Sequence, residues 1–379
     1  MPISPPRVCA LLFVVSIVAV AAAQERVVPA KAKGGFKYGE PFTEVPEPFR
    51  DLKIPEWPIP TDLARWQTSG RDEVRRVLLD CLGEMPARPD PKVVKVLSRE
   101  DRGVFILERI EFFNGVDMAV PGILAIPKNR PGRLPVVIGM HGHSGSKGDY
   151  LPDPSNELSL GWMLVRAGFV VAAIDGYFNG DRVFQGPRGK QERDAYGQEM
   201  SLFKLHLWQG RTLWGMMLRD EQCLIDYLET RPEIDAARIG GTGMSMGCTR
   251  AWWLSAIDER VKVIVGVACF TRFTELMAHA KTHGIYYYVP GLLKHFDAEA
   301  IYALTAPRPM LMLSGDEDHN APPDGVETLE RKVGAVYQLH GKPEHFRSVM
   351  YQNTGHEYLP EMRHEMVAWF EKHLRAEGD

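Results

Sequence analysis

Gly243-Met244-Ser245-Met246-Gly247 is the stretch that most limits how this chain can fold. A glycine two residues either side of a serine suits a sharp strand-to-helix turn that holds the hydroxyl out at its tip. Both glycines have a steric reason, because so tight a turn leaves no room for side chains there. With 35 glycines among 379 residues, the pentapeptide arises by chance only about 0.1 times in a chain of this make-up. Its setting adds weight. Ile239 precedes it as part of a short apolar strand, and Cys248 to Ile257, with Trp252, Trp253 and Leu254, reads as a buried helix.

The flanking chain has the rhythm of an α/β protein. Leu134 to Met140 and Val170 to Ile174 are continuous apolar strands, and Leu158 to Ala167 between them has helical spacing. Val261 to Val267, Met310 to Ser314 and Phe346 to Tyr351 are further strands, with helices expected around Val326 to Val333 and over Leu359 to Leu374. Continuous apolar strands alternating with helices indicate a mostly parallel sheet covered on both faces. Ahead of it, Val93 to Leu97, Gly103 to Phe113 and Met118 to Pro127 are rich in β-branched and aromatic residues, and Asn114-Gly115 is a hairpin turn. These three strands would form an antiparallel edge. Arg211 to Leu228 reads as a long amphipathic helix. Phe178 to Gly210 and Thr271 to about Ala300 lack a clear period and read as insertions over the site.

Three units follow from this pass. Residues 1–23 form a leader: Arg7 is its only charge, Val8 to Val20 is apolar apart from Ser16, and Ala21-Ala22-Ala23 offers a small-residue cleavage site. The apolar run is short for a membrane span, which needs about 20 residues. A secreted or periplasmic location is therefore expected, with no membrane association after cleavage. Residues 24–90 form an arm and a helix. Pro29, Pro41, Pro46, Pro48, Pro55, Pro58 and Pro60 keep the arm extended. Thr61 can cap a helix to about Leu82, with a possible break at Gly70. Residues 91–379 are the catalytic domain. A net charge of −4 without long basic runs gives no hint of a nucleic-acid partner. Cys81, Cys223, Cys248 and Cys269 remain after the leader; three sit in apolar surroundings, and no bridge is expected from them.

A serine hydroxyl needs a base within hydrogen-bond reach and a third group to orient that base. In an open parallel sheet these groups lie just past the carboxyl ends of strands. Asp316 and Asp318 follow the strand Met310 to Ser314, and Asp318 is preferred because the chain is still turning at Asp316. His356 follows the last strand and is the one of 12 histidines placed to serve as the base. The order Ser245, Asp318, His356 is that of α/β-hydrolases. An oxyanion hole would use the backbone N–H of Met246 and a second N–H from His141-Gly142-His143-Ser144-Gly145, with His143 favoured over Ser144. No cofactor is implied. Trp208, Tyr286, Tyr287, Tyr288 and Phe296 lie on the two insertions; Trp208 and Tyr287 are candidate substrate contacts, or the aromatics form the insertions' own small core.

From about Pro91 to Leu374 the chain resembles the α/β-hydrolase superfamily, and within it dienelactone hydrolase-like and acetyl xylan esterase-like secreted serine hydrolases. The resemblance rests on the Gly243 to Gly247 elbow, the His141-Gly142 loop, Gly315-Asp316-Glu317-Asp318 and Gly355-His356. It also covers Leu82-Gly83-Glu84-Met85-Pro86, which is similar to the segment ahead of the hydrolase domain in the esterase-like group. Dienelactone hydrolases proper carry a cysteine nucleophile where this chain has Ser245. The resemblance implies ester hydrolysis through an acyl-enzyme, with an acetylated carbohydrate as the suggested substrate. A prolyl oligopeptidase-like peptidase is the less favoured relative, since those enzymes carry an N-terminal propeller. Two readings from other classes compete. His141-x-His143 has the spacing of two ligands in a metal-dependent hydrolase, with His319 and His356 available to complete a site. A catalytically silent binding protein on the same fold is the other.

Overall fold

The computed structural model describes residues 46–375; the leader over residues 1–23 and the arm up to residue 45 lie outside the described residues. One sheet carries the fold. Its strands are β1 (Lys95–Asp101), β2 (Phe105–Phe113), β3 (Ala119–Pro127), β4 (Leu134–Met140), β5 (Val170–Ile174), β6 (Ile234–Met244), β7 (Val261–Val267), β8 (Met310–Gly315) and β9 (Phe346–Tyr351). Their order across the sheet is β1-β2-β3-β5-β4-β6-β7-β8-β9. The first three strands pair antiparallel, β3 meets β5 antiparallel, and every pairing from β5 through β9 is parallel. The expected antiparallel edge on a parallel sheet is therefore present.

Side-chain alternation explains why the central strands are apolar throughout. Val136, Ile138 and Met140 on β4 enter one core and Val137 enters the other. Val170, Ala172 and Ile174 on β5 face the first core, Val171 and Ala173 the second. Each face has its own helical cover. The larger core takes side chains from helices Arg71–Leu82, Leu213–Glu229, Met246–Ile257 and Pro323–Leu339. The smaller takes Leu160–Arg166 and Pro360–Leu374. Among the described residues, no helix is long and apolar enough to cross a membrane.

Three local expectations change. Asp62, not Thr61, caps the first long helix by accepting from Arg65 N at 3.1 Å. Gly70 does not break that helix. Leu63–Arg65 runs through a π-helical turn, Trp66–Gly70, into Arg71–Leu82, and the wide turn seats Trp66 edge-on to Trp57 at 5.8 Å. The stretch after Phe178 is not aperiodic in space, since Ala195–Trp208 is a 14-residue helix capped by Asp194. It buries Leu202 and His206 while exposing Tyr196, Met200, Leu207 and Trp208, so no single apolar stripe marks it. The four cysteines among the described residues are free thiols.

Among the described glycines, the closest backbone approach lies under the elbow. A Cβ on Gly247 would overlap the carbonyl oxygen of Met140, at the end of the neighbouring β4. Backbone cannot retreat as a flexible side chain can. Gly247→Ala is expected to cost at least about 2 kcal/mol of stability in urea unfolding; a change within about 0.5 kcal/mol would show that the elbow has more slack than these contacts allow.

Candidate active site

Ser245 stands between β6 and the Met246–Ile257 helix with φ 59° and ψ −122°. That conformation is strained for a residue with a side chain and occurs where surrounding structure imposes it. Here the imposition is mutual. Ser245 N donates to Val267 O at 2.9 Å and Thr249 N donates to Ser245 O at 3.0 Å, so the residue is tied to the end of the neighbouring β7 and to the helix that follows it. Ser245, His143, Ser144, Tyr286, His283 and His356 line one cleft of about 770 Å³.

Asp318 and His356 meet across 38 positions of sequence. His356 Nδ1 and Asp318 Oδ2 are 2.8 Å apart. Asp318 is buried, and its other oxygen accepts from Asn320 N at 2.8 Å. Asp316 is occupied elsewhere: its side chain accepts from Thr354 N at 3.2 Å and so braces the loop that carries His356. One acid is thus hydrogen-bonded to the imidazole and the other to the loop that carries it. No hydrogen bond joins His356 to Ser245 among the described residues. Such bonds commonly tighten only when a substrate closes the site.

The loop after β4 arches over the elbow. A Cβ on Gly142 would lie 3.5 Å from Met244 O and 3.9 Å from the Ser245 Cβ. Several buried polar groups hold this loop. Arg250, on the helix after Ser245, donates to His141 O at 2.7 Å and to Glu221 at 2.9 Å. Lys147 pairs with the buried Asp175 at 2.6 Å, which ties the loop to the end of β5. Asn179 donates to His143 O at 2.7 Å. The backbone of His143 is therefore fixed before any ligand arrives.

The two imidazoles of His141-x-His143 do not converge. His141 Nε2 accepts from Gly176 N at 2.9 Å, and its Nδ1 faces Gly142 O at 2.7 Å, so both nitrogens are engaged. Burial holds this imidazole well below its usual range, with Arg250 adding to the effect. His143 turns instead toward Glu199, 2.7 Å away. His319 is not on the cleft wall. Cys248, three residues after Ser245, is buried, and loss of water pushes its thiol well up. A thiol so placed is inert rather than nucleophilic.

Neither Trp208 nor Tyr287 lines the cleft. Trp208 is 88% exposed at the end of its helix. Tyr287 stacks on Phe273 at 5.2 Å and meets Trp214 edge-on at 5.4 Å, inside the core of the second insertion. Its neighbour Tyr286, in the middle of the 3-10 turn Ile285–Tyr287, is the insertion aromatic that lines the wall. Polar groups of Asp149, Asp153, Asn156, Ser159 and Arg363 also line the cleft. No spacing rule joins the 149–159 stretch to Arg363, which stands on the Pro360–Leu374 helix.

His283 closes the cleft from the second insertion and is pushed down to about 4, first by burial and then by the neighbouring His356 charge. The unfolded chain takes up this proton near 6.5, the folded chain only near 4. The contribution of neutral His283 to stability is therefore whole above about pH 6.5 and is lost as pH falls from there toward 4. Urea unfolding at pH 7.5 and 4.5 should show the loss, and His283→Asn should lose about 2 kcal/mol less between the two; asparagine suits the φ of 32°. Equal losses in both proteins would rule out this linkage.

With the geometry in place, comparison with known proteins is informative. The model of the Abhydrolase family matches residues 49–369. A Bacillus subtilis (strain 168) protein named "Putative hydrolase YtaP" is 36% identical over 317 residues, spanning 80% of this chain and 100% of its own. Carbohydrate esterase MZ0003, from an unknown prokaryotic organism, is 24% identical over 362 residues, 81% of this chain and 82% of its own. Among solved structures, a glucuronoyl esterase from Solibacter usitatus superimposes with a TM-score of 0.63 at 18% identity, covering 86% of this chain and 99% of its own. The elbow, the crossing order of the sheet and the extent of the match together establish that this chain belongs to the Abhydrolase family and has the α/β-hydrolase fold.

Proposed function

We propose that this protein is a serine carboxylic-ester hydrolase working through an acyl-enzyme. The observation that carries the reading is the His356–Asp318 hydrogen bond of 2.8 Å on the same cleft as the strained Ser245. With Nδ1–H committed to Asp318, Nε2 is the basic nitrogen of the neutral ring. His356 takes the proton of Ser245 Oγ through Nε2 as the hydroxyl attacks the ester carbonyl. Asp318 keeps the ring in that tautomer and stabilises the imidazolium. The N–H groups of Met246 and His143 receive the negative charge on the carbonyl oxygen, and one such donor is worth about 3 kcal/mol. His356 then gives its proton to the leaving alcohol, and water, deprotonated by the same ring, releases the acid.

A carbohydrate ester is the substrate class this reading favours. The polar side chains on the cleft wall, Asp149, Asp153, Asn156, Ser159 and Arg363 among them, suit a hydroxylated ligand, and two similar proteins are named as a carbohydrate esterase and a glucuronoyl esterase. Removal of an acetyl group from a sugar is one form this could take. A peptidase of the prolyl oligopeptidase kind is the less favoured alternative. A metal-dependent hydrolase finds little support in His141, whose two nitrogens are already engaged. The leader over residues 1–23 favours action outside the cytoplasm, secreted or periplasmic.

A serine-directed phosphonate should label Ser245, and labelling should survive chelators. Full activity without labelling, lost on chelation, would overturn the reading in favour of a metal enzyme. Ser245→Ala should abolish the pre-steady-state burst with p-nitrophenyl acetate. Asp318→Asn should lower kcat by about 10⁴-fold, and Asp316→Asn far less. Equal losses for the two would remove Asp318 from its assigned role.

A further inference from the structure

Glu199 is a buried acid on the first insertion that reaches the cleft wall through His143. It sits on the Ala195–Trp208 helix with its side chain 3% exposed. Both of its oxygens are used. One accepts from the backbone N–H of Tyr286, on the other insertion, at 3.0 Å, and the other lies 2.7 Å from His143 Nε2. The His143 ring is further boxed by Phe178 at 5.5 Å, Tyr196 at 5.1 Å and Tyr286 at 4.9 Å. Its main chain is held by Asn179. A side chain fixed at so many points, yet 22% exposed on the cleft wall, is set to meet a ligand.

The proton on this ring follows from its partner. A carboxylate accepts and has no hydrogen to give, so the hydrogen lies on His143 Nε2. With that single hydrogen on the ring, Nδ1 is a bare acceptor, and no hydrogen bond joins it to another described residue. We infer that His143 Nδ1 accepts a hydrogen bond from a substrate hydroxyl beside the scissile ester, and that Glu199 is the positioning residue that fixes this tautomer. The inference rests on the serine-hydrolase reading and narrows it. The preferred esters carry a free hydroxyl near the carbonyl, as in partly esterified sugars and sugar acids. An ester that covers this acceptor and displaces its water without supplying a donor is penalised.

Glu199→Gln tests this with little change in shape. Tyr286 N–H needs an oxygen opposite it, so the amide must turn its NH₂ toward His143 Nε2. The imidazole proton then moves to Nδ1, and an acceptor in the cleft becomes a donor. Two ester pairs of matched ring size serve as probes: an acetylated methyl xyloside against cyclohexyl acetate, and methyl glucuronate against methyl cyclohexanecarboxylate. The wild type should prefer the hydroxylated member of at least one pair in kcat/KM. Because a hydroxyl can also accept, the deciding comparison is the hydroxylated ester against its O-methyl ether, which can only accept: the wild type should prefer the free hydroxyl, and Glu199→Gln should shrink that preference by about tenfold or more. Nitrogen-15 spectra of the His143 ring should place the proton on Nε2 in the wild type and on Nδ1 in the variant, a change that a merely structural role for Glu199 would not produce. Ser245 labelling with the preference unchanged in Glu199→Gln would overturn this inference alone. Absence of labelling in the wild type would overturn the serine reading and the hydroxyl role with it. A wild-type spectrum with the proton on Nδ1 refutes the inference even if the variant fails to fold.

Discussion

The contact between the Gly247 backbone and the carbonyl of Met140 is the constraint on which the active-site end of this protein depends. It brings the end of β4 against the first turn of the helix after β6. Only with these two backbones touching can the His141–Gly145 loop reach over Ser245, and only a residue without a Cβ permits the approach. The same crowding helps to hold Ser245 at a positive φ, where its side chain stands clear of both strand and helix. Strain at the serine and close packing beneath it are thus two aspects of one arrangement.

Around this point the loops are held by buried charge rather than by apolar contact. Arg250 bridges Glu221 and the His141 carbonyl, Lys147 joins Asp175, and Arg182 donates to Asp220 at 2.8 Å. Buried ion pairs add little net stability, because desolvating both partners costs about as much as their attraction returns. What they supply is direction. A hydrogen bond to a named carbonyl sets a loop's position in a way that a methyl group against a core does not. Loops at the carboxyl ends of strands carry no regular backbone pairing of their own, and these side chains substitute for it.

The two insertions complete the cleft by leaning on each other. Tyr286 presents one face of its ring to His143 and has its N–H on Glu199, while Tyr287 turns inward to the Trp214 and Phe273 rings. Adjacent residues therefore divide the work of lining the site and anchoring the segment. Asp318 and Asp316 show the same division within one loop, the first holding the imidazole and the second the chain that bears it.

Much of this was legible in the residue order, and the exceptions share a cause. The bounds of β4 and β5 could be read directly because strands buried on both faces must be apolar at every position. Ser245, Asp318 and His356 could be named because each stands just past a readable strand. The Ala195–Trp208 helix escaped because it is apolar on its exposed side as well as its buried one, which erases the helical period. Glu199 escaped with it, for nothing local ties this acid to His143, 56 positions away. The sequence by itself determined the sheet, its helices and which strand ends would carry chemistry, since periodicity and turn geometry are local properties. Only the tertiary structure decided that Tyr286 and not Tyr287 or Trp208 meets the cleft, that Asp316 braces the loop of His356, and which nitrogen of His143 is left open. Those outcomes depend on which side chains come within 3 Å of one another across the chain, and no local pattern encodes that.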